Sequence, residues 1–61
     1  MNAVELRNFR ISLGLTQALL ARKIGKSLRK ISSYERGEAA VPKTVALACE
    51  ALAERNRGNE S

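Results

Sequence analysis

Residues 13–36 read LGLTQALLARKIGKSLRKISSYER, two short helical patterns hinged at a single glycine, the second studded with Arg, Lys and Ser. Thr16 is placed to cap the first pattern, because a hydroxyl there can accept from an amide left free at the start of a helix. Leu20, Ala21 and Ile24 then fall on one face, the spacing of a helix with a side to bury. Gly25 closes it after two turns and supplies the backbone freedom for a tight turn. Ser27 caps the second pattern, which runs from 28 to about 36 with Ile31 and Tyr34 inward and Gly37 at its end. A small Ala21, a glycine four residues later and a branched Ile31 form a spaced constraint. It suits two helices crossing steeply, where a larger side chain at 21 would push the pair apart.

On either side of this stretch, residues 3 to about 13 put Leu6, Phe9 and Leu13 at helical spacing before Gly14, and Pro42 stands at or before the first turn of a last helix ending near Asn56. Val45, Ala48, Cys49 and Leu52 make that helix's apolar stripe. The expected fold is all-α, a compact bundle of four short helices with five as the alternative count. It forms one domain over residues 1–56, followed by a frayed tail at 57–61.

Charge is unevenly placed along this frame. Between residues 17 and 43 lie seven Lys or Arg against two Glu, whereas the rest of the chain balances four against four, so the whole net charge of +5 falls in the helix pair and the loop after it. Such a field attracts a polyanion; a merely solubilising face is the plainer reading.

The rest of the composition removes whole classes of function. At 61 residues the chain is near the size where one core is marginal without a staple. Cys49 is the sole cysteine and there is no His or Asp, so neither an internal disulfide nor a zinc site is expected. Close helix packing, aided by self-association, is what remains. Catalysis usually draws on His, Asp or an activated Cys beside a base, and here there are only scattered Glu and one Cys in an apolar helix. The four glycines stand singly, so there is no phosphate-cradling loop. An enzyme, a cofactor, a metal or a small-molecule ligand is therefore not expected. No apolar run approaches the roughly 20 residues that span a bilayer, and the N-terminus lacks a signal-peptide pattern, so the expectation is a cytoplasmic protein without a membrane anchor.

Arg10-Ile11-Ser12-Leu13-Gly14-Leu15-Thr16-Gln17, then Leu20-Ala21, Ile24-Gly25, Ser27, Ile31 and Tyr34-Glu35-Arg36-Gly37-Glu38 resemble the phage repressor and Cro family, the XRE-type helix-turn-helix domain. The likeness covers about residues 6 to 43 and extends more loosely into the last helix. It implies a lambda-repressor-like fold and a sequence-specific transcriptional regulator of double-stranded DNA, commonly a repressor acting as a homodimer on an inverted-repeat operator. It implies a phosphate contact for Gln17, with Thr16 beside it, and sets Ser27, Leu28, Arg29, Ser32 and Ser33 on the helix that enters the major groove. Among these Arg29 is the best base reader, because a guanidinium can bond guanine O6 and N7 together. Leu28 suits a thymine methyl, and Ser32 and Ser33 can touch a base, bridge through water or allow close approach. Lys26, Lys30, Arg36 and Lys43 suit phosphates; for Lys26 and Lys23 a solvated lysine is the competing reading, and Arg22 either reaches the backbone or stays exposed. Arg10 and Glu35 match the pair that forms a structural salt bridge between the first helix and the end of the third.

The chain departs from this pattern in places. Leu19 stands where relatives usually carry a polar or acidic residue, and Val4 and Ile11 are hard to place inside. A protein-partner surface through Val4, Ile11 and Leu19 is one reading, ordinary exposed aliphatics the other. A homodimer joined through the fourth helix and the loop before it would make Val41, Val45, Cys49 and Leu52 candidates for contact or core. An antitoxin-like or other protein-interaction module is the alternative function. A single-strand or RNA binder fits poorly, since Phe9 and Tyr34 are the only aromatics and both are expected in packing.

Overall fold

The computed structural model describes residues 1–58, with helices α1 (Ala3–Ser12), α2 (Gln17–Ile24), α3 (Leu28–Glu35) and α4 (Lys43–Gly58). No strand occurs among the described residues. Each helix starts where the chain offers a partner for its free amides. Thr16 Oγ1 accepts from the Leu19 amide at 3.1 Å and Ser27 Oγ from the Lys30 amide at 3.2 Å, as expected of both caps. Pro42 lacks an amide hydrogen that would need a partner, and its carbonyl accepts from Val45 and Ala46 at 3.0 and 3.1 Å. Sequence reading missed the cap of α1, a reciprocal pair in which Asn2 Oδ1 accepts from the Glu5 amide at 2.8 Å while Glu5 Oε1 accepts from the Asn2 amide at 2.9 Å. The Asn-x-x-Glu spacing was its signal.

The first three helices end by one device. An amide beyond the helix reaches back to a carbonyl five residues earlier: Leu15 to Arg10 at 3.1 Å, Lys26 to Ala21 at 2.8 Å and Glu38 to Ser33 at 3.0 Å. The residue before each of those amides is a glycine in the left-handed region, which lets the chain fold back on the last turn. At Gly25, with φ of 72°, a Cβ would meet no atom within 4 Å. Backbone conformation, and not lack of space, is therefore what demands glycine at the turn between α2 and α3.

Helices of eight residues are too short to persist alone, so packing holds them. Leu6, Leu20, Ala21, Ile31, Tyr34, Val45, Cys49 and Leu52 form the core, with Phe9, Leu13, Leu15, Ile24 and Val41 packed against it. All four helices contribute to it; α3 packs on both α1 and α2, and α4 packs on α2. Ala21 lies at this junction only 3% exposed, the tight spot its size suggested.

Val45 and Cys49 are fully buried and Leu52 nearly so, while half-buried Val41 packs against the same core. Of the two roles expected of these residues, contact or core, the fold uses Val45, Cys49 and Leu52 as core, with Val41 at its edge; a chain this small needs α4's apolar stripe for itself. Helix α4 runs on through Arg57 and Gly58, the first two residues of the tail expected at 57–61. Residues 59–61 lie outside those described.

Candidate nucleic-acid interface

The caps and glycines fix α3 so that its two faces differ. Ile31 is fully buried and Tyr34 only 6% exposed, plugging the helix against α1 and α2. Elsewhere on the helix Leu28, Arg29 and Lys30 are exposed, and Ser32 and Ser33 are half-buried. Leu28, at 51% exposed, is an apolar side chain held in water at the first turn of a basic helix. Ser27 is exposed as well, its oxygen accepting the capping bond. Its hydroxyl hydrogen remains available to donate, and the same holds for Thr16. Arg36 follows the end of α3, Lys26 sits in the turn before it and Lys43 opens α4, all three exposed. The predicted positions thus fall on α3, on its flanking turns and on the starts of α2 and α4.

Behind this face lies an ionic hub. Arg10 Nε donates to Glu35 Oε2 at 2.8 Å and Nη2 to Oε1 at 3.1 Å, a two-pronged pair, while Nη1 donates to the Leu15 carbonyl at 2.9 Å. Gln17 Nε2 adds a third bond to the same carboxylate, at 3.2 Å to Oε1. One guanidinium and one carboxylate thereby tie α1, the loop after it, the first turn of α2 and the last turn of α3. The side chain of Glu35 is only 5% exposed and that of Arg10 15%. Burial pushes the Glu35 carboxyl upward, but the hydrogen bonds from Arg10 and Gln17 and the charges of Arg10 and Arg7 outweigh it and hold the carboxyl below its ordinary value. The bond to Glu35 raises Arg10 in turn, against a smaller opposing effect of burial. Both groups are charged and mutually satisfied, and the pair joins α1 to the end of α3.

Gln17 is the position where the structure adds most. Sequence reading gave it a phosphate, yet its side chain is already oriented by Glu35. A primary amide has two donor hydrogens, so the second is free for another acceptor. Arg7, one turn before Arg10 on α1, carries no role in the sequence-based expectations. It lines a concavity of about 250 Å³ together with Arg10, Gln17, Glu35 and Arg36. Its spacing of three residues from Arg10 was the available signal.

The apolar departures lie on two different helices. Val4 and Ile11 are 65% and 54% exposed, seven residues apart on α1, whereas Leu19, 42% exposed, lines a separate hollow with Arg22 and Lys23 of its own helix. Tyr34 is buried and Phe9 half-buried against the core, leaving no aromatic platform for stacking bases. Burial likewise pushes the Cys49 thiol up, opposite to what a nucleophile requires. Among the described residues no group of His, Cys, Asp or Glu could hold a metal ion, and no helix is long and apolar enough to cross a membrane.

Comparison with known families agrees with this geometry. A helix-turn-helix family model matches residues 6–54, which includes the hub and all four helices except the ends of α1 and α4. The chain belongs to the Cro/C1-type helix-turn-helix family, the XRE family of DNA-binding transcription regulators. No curated protein and no solved structure matches it.

Proposed function

We propose that this protein is a sequence-specific transcriptional regulator, a phage- or prophage-type repressor that binds double-stranded DNA as a homodimer through the major groove. One observation carries the reading: α3 buries Ile31 and Tyr34 and leaves Leu28, Arg29 and Lys30 to solvent, so a basic, rigidly seated edge is free to meet base pairs. Arg29 reads a guanine, Leu28 packs on a thymine methyl and Ser32 and Ser33 allow close approach. Thr16, Gln17, Lys26, Lys30, Arg36 and Lys43 hold the phosphates on either side and set register without reading sequence, while Ser27 stands with the residues that enter the groove.

With Val45, Cys49 and Leu52 in the core, the dimer forms through the outer face of α4, where Lys43, Leu47 and Glu50 follow one another at helical spacing and Leu47 is 53% exposed. An antiparallel pair crossing at Leu47 sets Lys43 of one copy against Glu50 of the other. Such a two-fold pair presents two α3 helices to one side of the duplex, about one DNA turn apart. Selection of bound sites from random duplex DNA tests both parts together. It is expected to return inverted repeats with half-sites about 10 bp apart; single unpaired half-sites would remove the dimer, and no enrichment would remove sequence-specific recognition.

The exposed Leu19 beside Arg22 and Lys23 favours a second reading, an antitoxin-like module that also binds a protein. Co-purification with a stoichiometric partner, lost on Leu19→Ser, is the outcome expected of it.

A further inference from the structure

The concavity between α1, α2 and the end of α3 carries more positive charge than the fold uses. Three arginines, Arg7, Arg10 and Arg36, line it with Gln17 and a single carboxylate, Glu35. That carboxylate is consumed by Arg10 and Gln17. Arg7 and Arg36 are both exposed, and Arg7 acts on Glu35 only through its charge, with no hydrogen bond to it. Arg36 meets Glu38 at 3.4 Å with both side chains more than half exposed, a contact weak enough to yield to a stronger anion. Two guanidinium groups and the second amide hydrogen of Gln17 therefore converge on one hollow with no buried anion left for them.

We propose that this hollow clasps one phosphodiester of the DNA backbone and that Arg7 supplies the clasp from α1. The inference rests on the DNA-binding reading above and adds to it a contact from the helix outside the helix-turn-helix pair. The phosphate sits between Arg7 and Arg36 and accepts from Gln17, whose orientation is set by Glu35. The ionic hub then does double duty: it holds the helices together and aims the amide at the backbone. Arg7 carries no base preference in this arrangement, so its contribution is sequence-independent and sensitive to salt.

The test is the salt dependence of binding to the selected duplex for the wild-type protein and for Arg7→Gln, Arg7→Lys and Arg55→Gln. Arg55 lies on α4, away from the hollow. Arg7→Gln is expected to lower the slope of log K against log salt by about 0.9 per bound chain. Arg7→Lys should restore most of it, Arg55→Gln should leave it unchanged, and thermal unfolding should change little in all three, Arg7 acting on Glu35 through its charge alone. A wild-type slope in Arg7→Gln, with binding intact, overturns the clasp and leaves DNA recognition standing. An equal loss in Arg55→Gln overturns it too, because the effect is then one of net charge. Failure of the wild-type protein to bind any duplex overturns both. Inorganic phosphate at fixed ionic strength separates a small-anion site from a backbone site: saturable shifts of the Arg7 and Arg36 resonances, together with an unchanged DNA slope in Arg7→Gln, would assign the hollow to free phosphate instead.

Discussion

Arg29 and Glu35 lie six residues apart on the same two-turn helix, in opposite circumstances. Glu35 accepts three hydrogen bonds from two side chains and is almost closed to water. Arg29 is exposed and has no hydrogen-bond or ion-pair partner among the described residues. The carboxylate gives up hydration and is repaid by the fork of Arg10; the guanidinium keeps its hydration and its freedom. A helix this short can present an unsatisfied edge only because its other side is over-determined. Stability and recognition are thus divided between the two faces of α3.

Removing the satisfied side should do the largest damage. Glu35→Ala leaves the Arg10 guanidinium half-buried with one remaining partner, the Leu15 carbonyl, and should cost about 3 kcal/mol or more in denaturant unfolding, enough to unfold much of a domain of this size. A loss under about 1 kcal/mol would mean that the hub behaves like a surface ion pair. Acid should act through the same group. Because the folded carboxyl titrates below its ordinary value of 4.5, its contribution is complete above that pH and declines as pH falls through the folded value. The stability gap between wild type and Glu35→Gln should therefore be widest near neutral pH and narrow steadily in the acid range. A gap that widened on acidification would reverse the sign of the assignment.

A smaller effect tests what orients the two faces. Gly25 holds α3 against α2 in a conformation that only glycine adopts freely, and its missing side chain faces open space. Gly25→Ala should cost about 1–2 kcal/mol, all of it backbone strain. Gly25→Asn, which tolerates the left-handed region better, should cost less. Equal losses in the two variants would point to a steric origin and contradict the open space around the turn.

The order of these effects follows what was legible in the chain. Caps at Thr16 and Ser27, turns at Gly25 and Gly37 and inward positions at Leu20, Ala21, Ile31 and Tyr34 could be read from spacing, because each is a local rule about backbone or periodicity. The pairing of Arg10 with Glu35 spans 25 residues and came from family resemblance; no local rule links the two positions. Gln17 as a third partner and Arg7 at the rim of the same hollow escaped, since both depend on how α1 crosses the end of α3. For Val45, Cys49 and Leu52 the spacing leaves core and contact both open, for a related reason. A stripe shows that a helix has something to bury, and only the packed chain shows against what.

The smallest expected change in stability is also the sharpest test of the comparison. Arg29 is exposed and makes no hydrogen bond or ion pair among the described residues, so Arg29→Ala should shift unfolding by no more than about 0.5 kcal/mol, while affinity for the selected site falls by about 1–3 kcal/mol. Affinity for random duplex should fall much less and keep most of its salt slope, since phosphate contacts remain. Titration of both duplexes at two salt concentrations separates these terms. If Arg29→Ala lost both affinities in parallel, Arg29 would be one more phosphate contact, and the reading edge would have to lie at Leu28, Ser32 and Ser33. If it lost stability instead, the two faces of α3 would not be independent, and the division of labour between Glu35 and Arg29 would fail at its root.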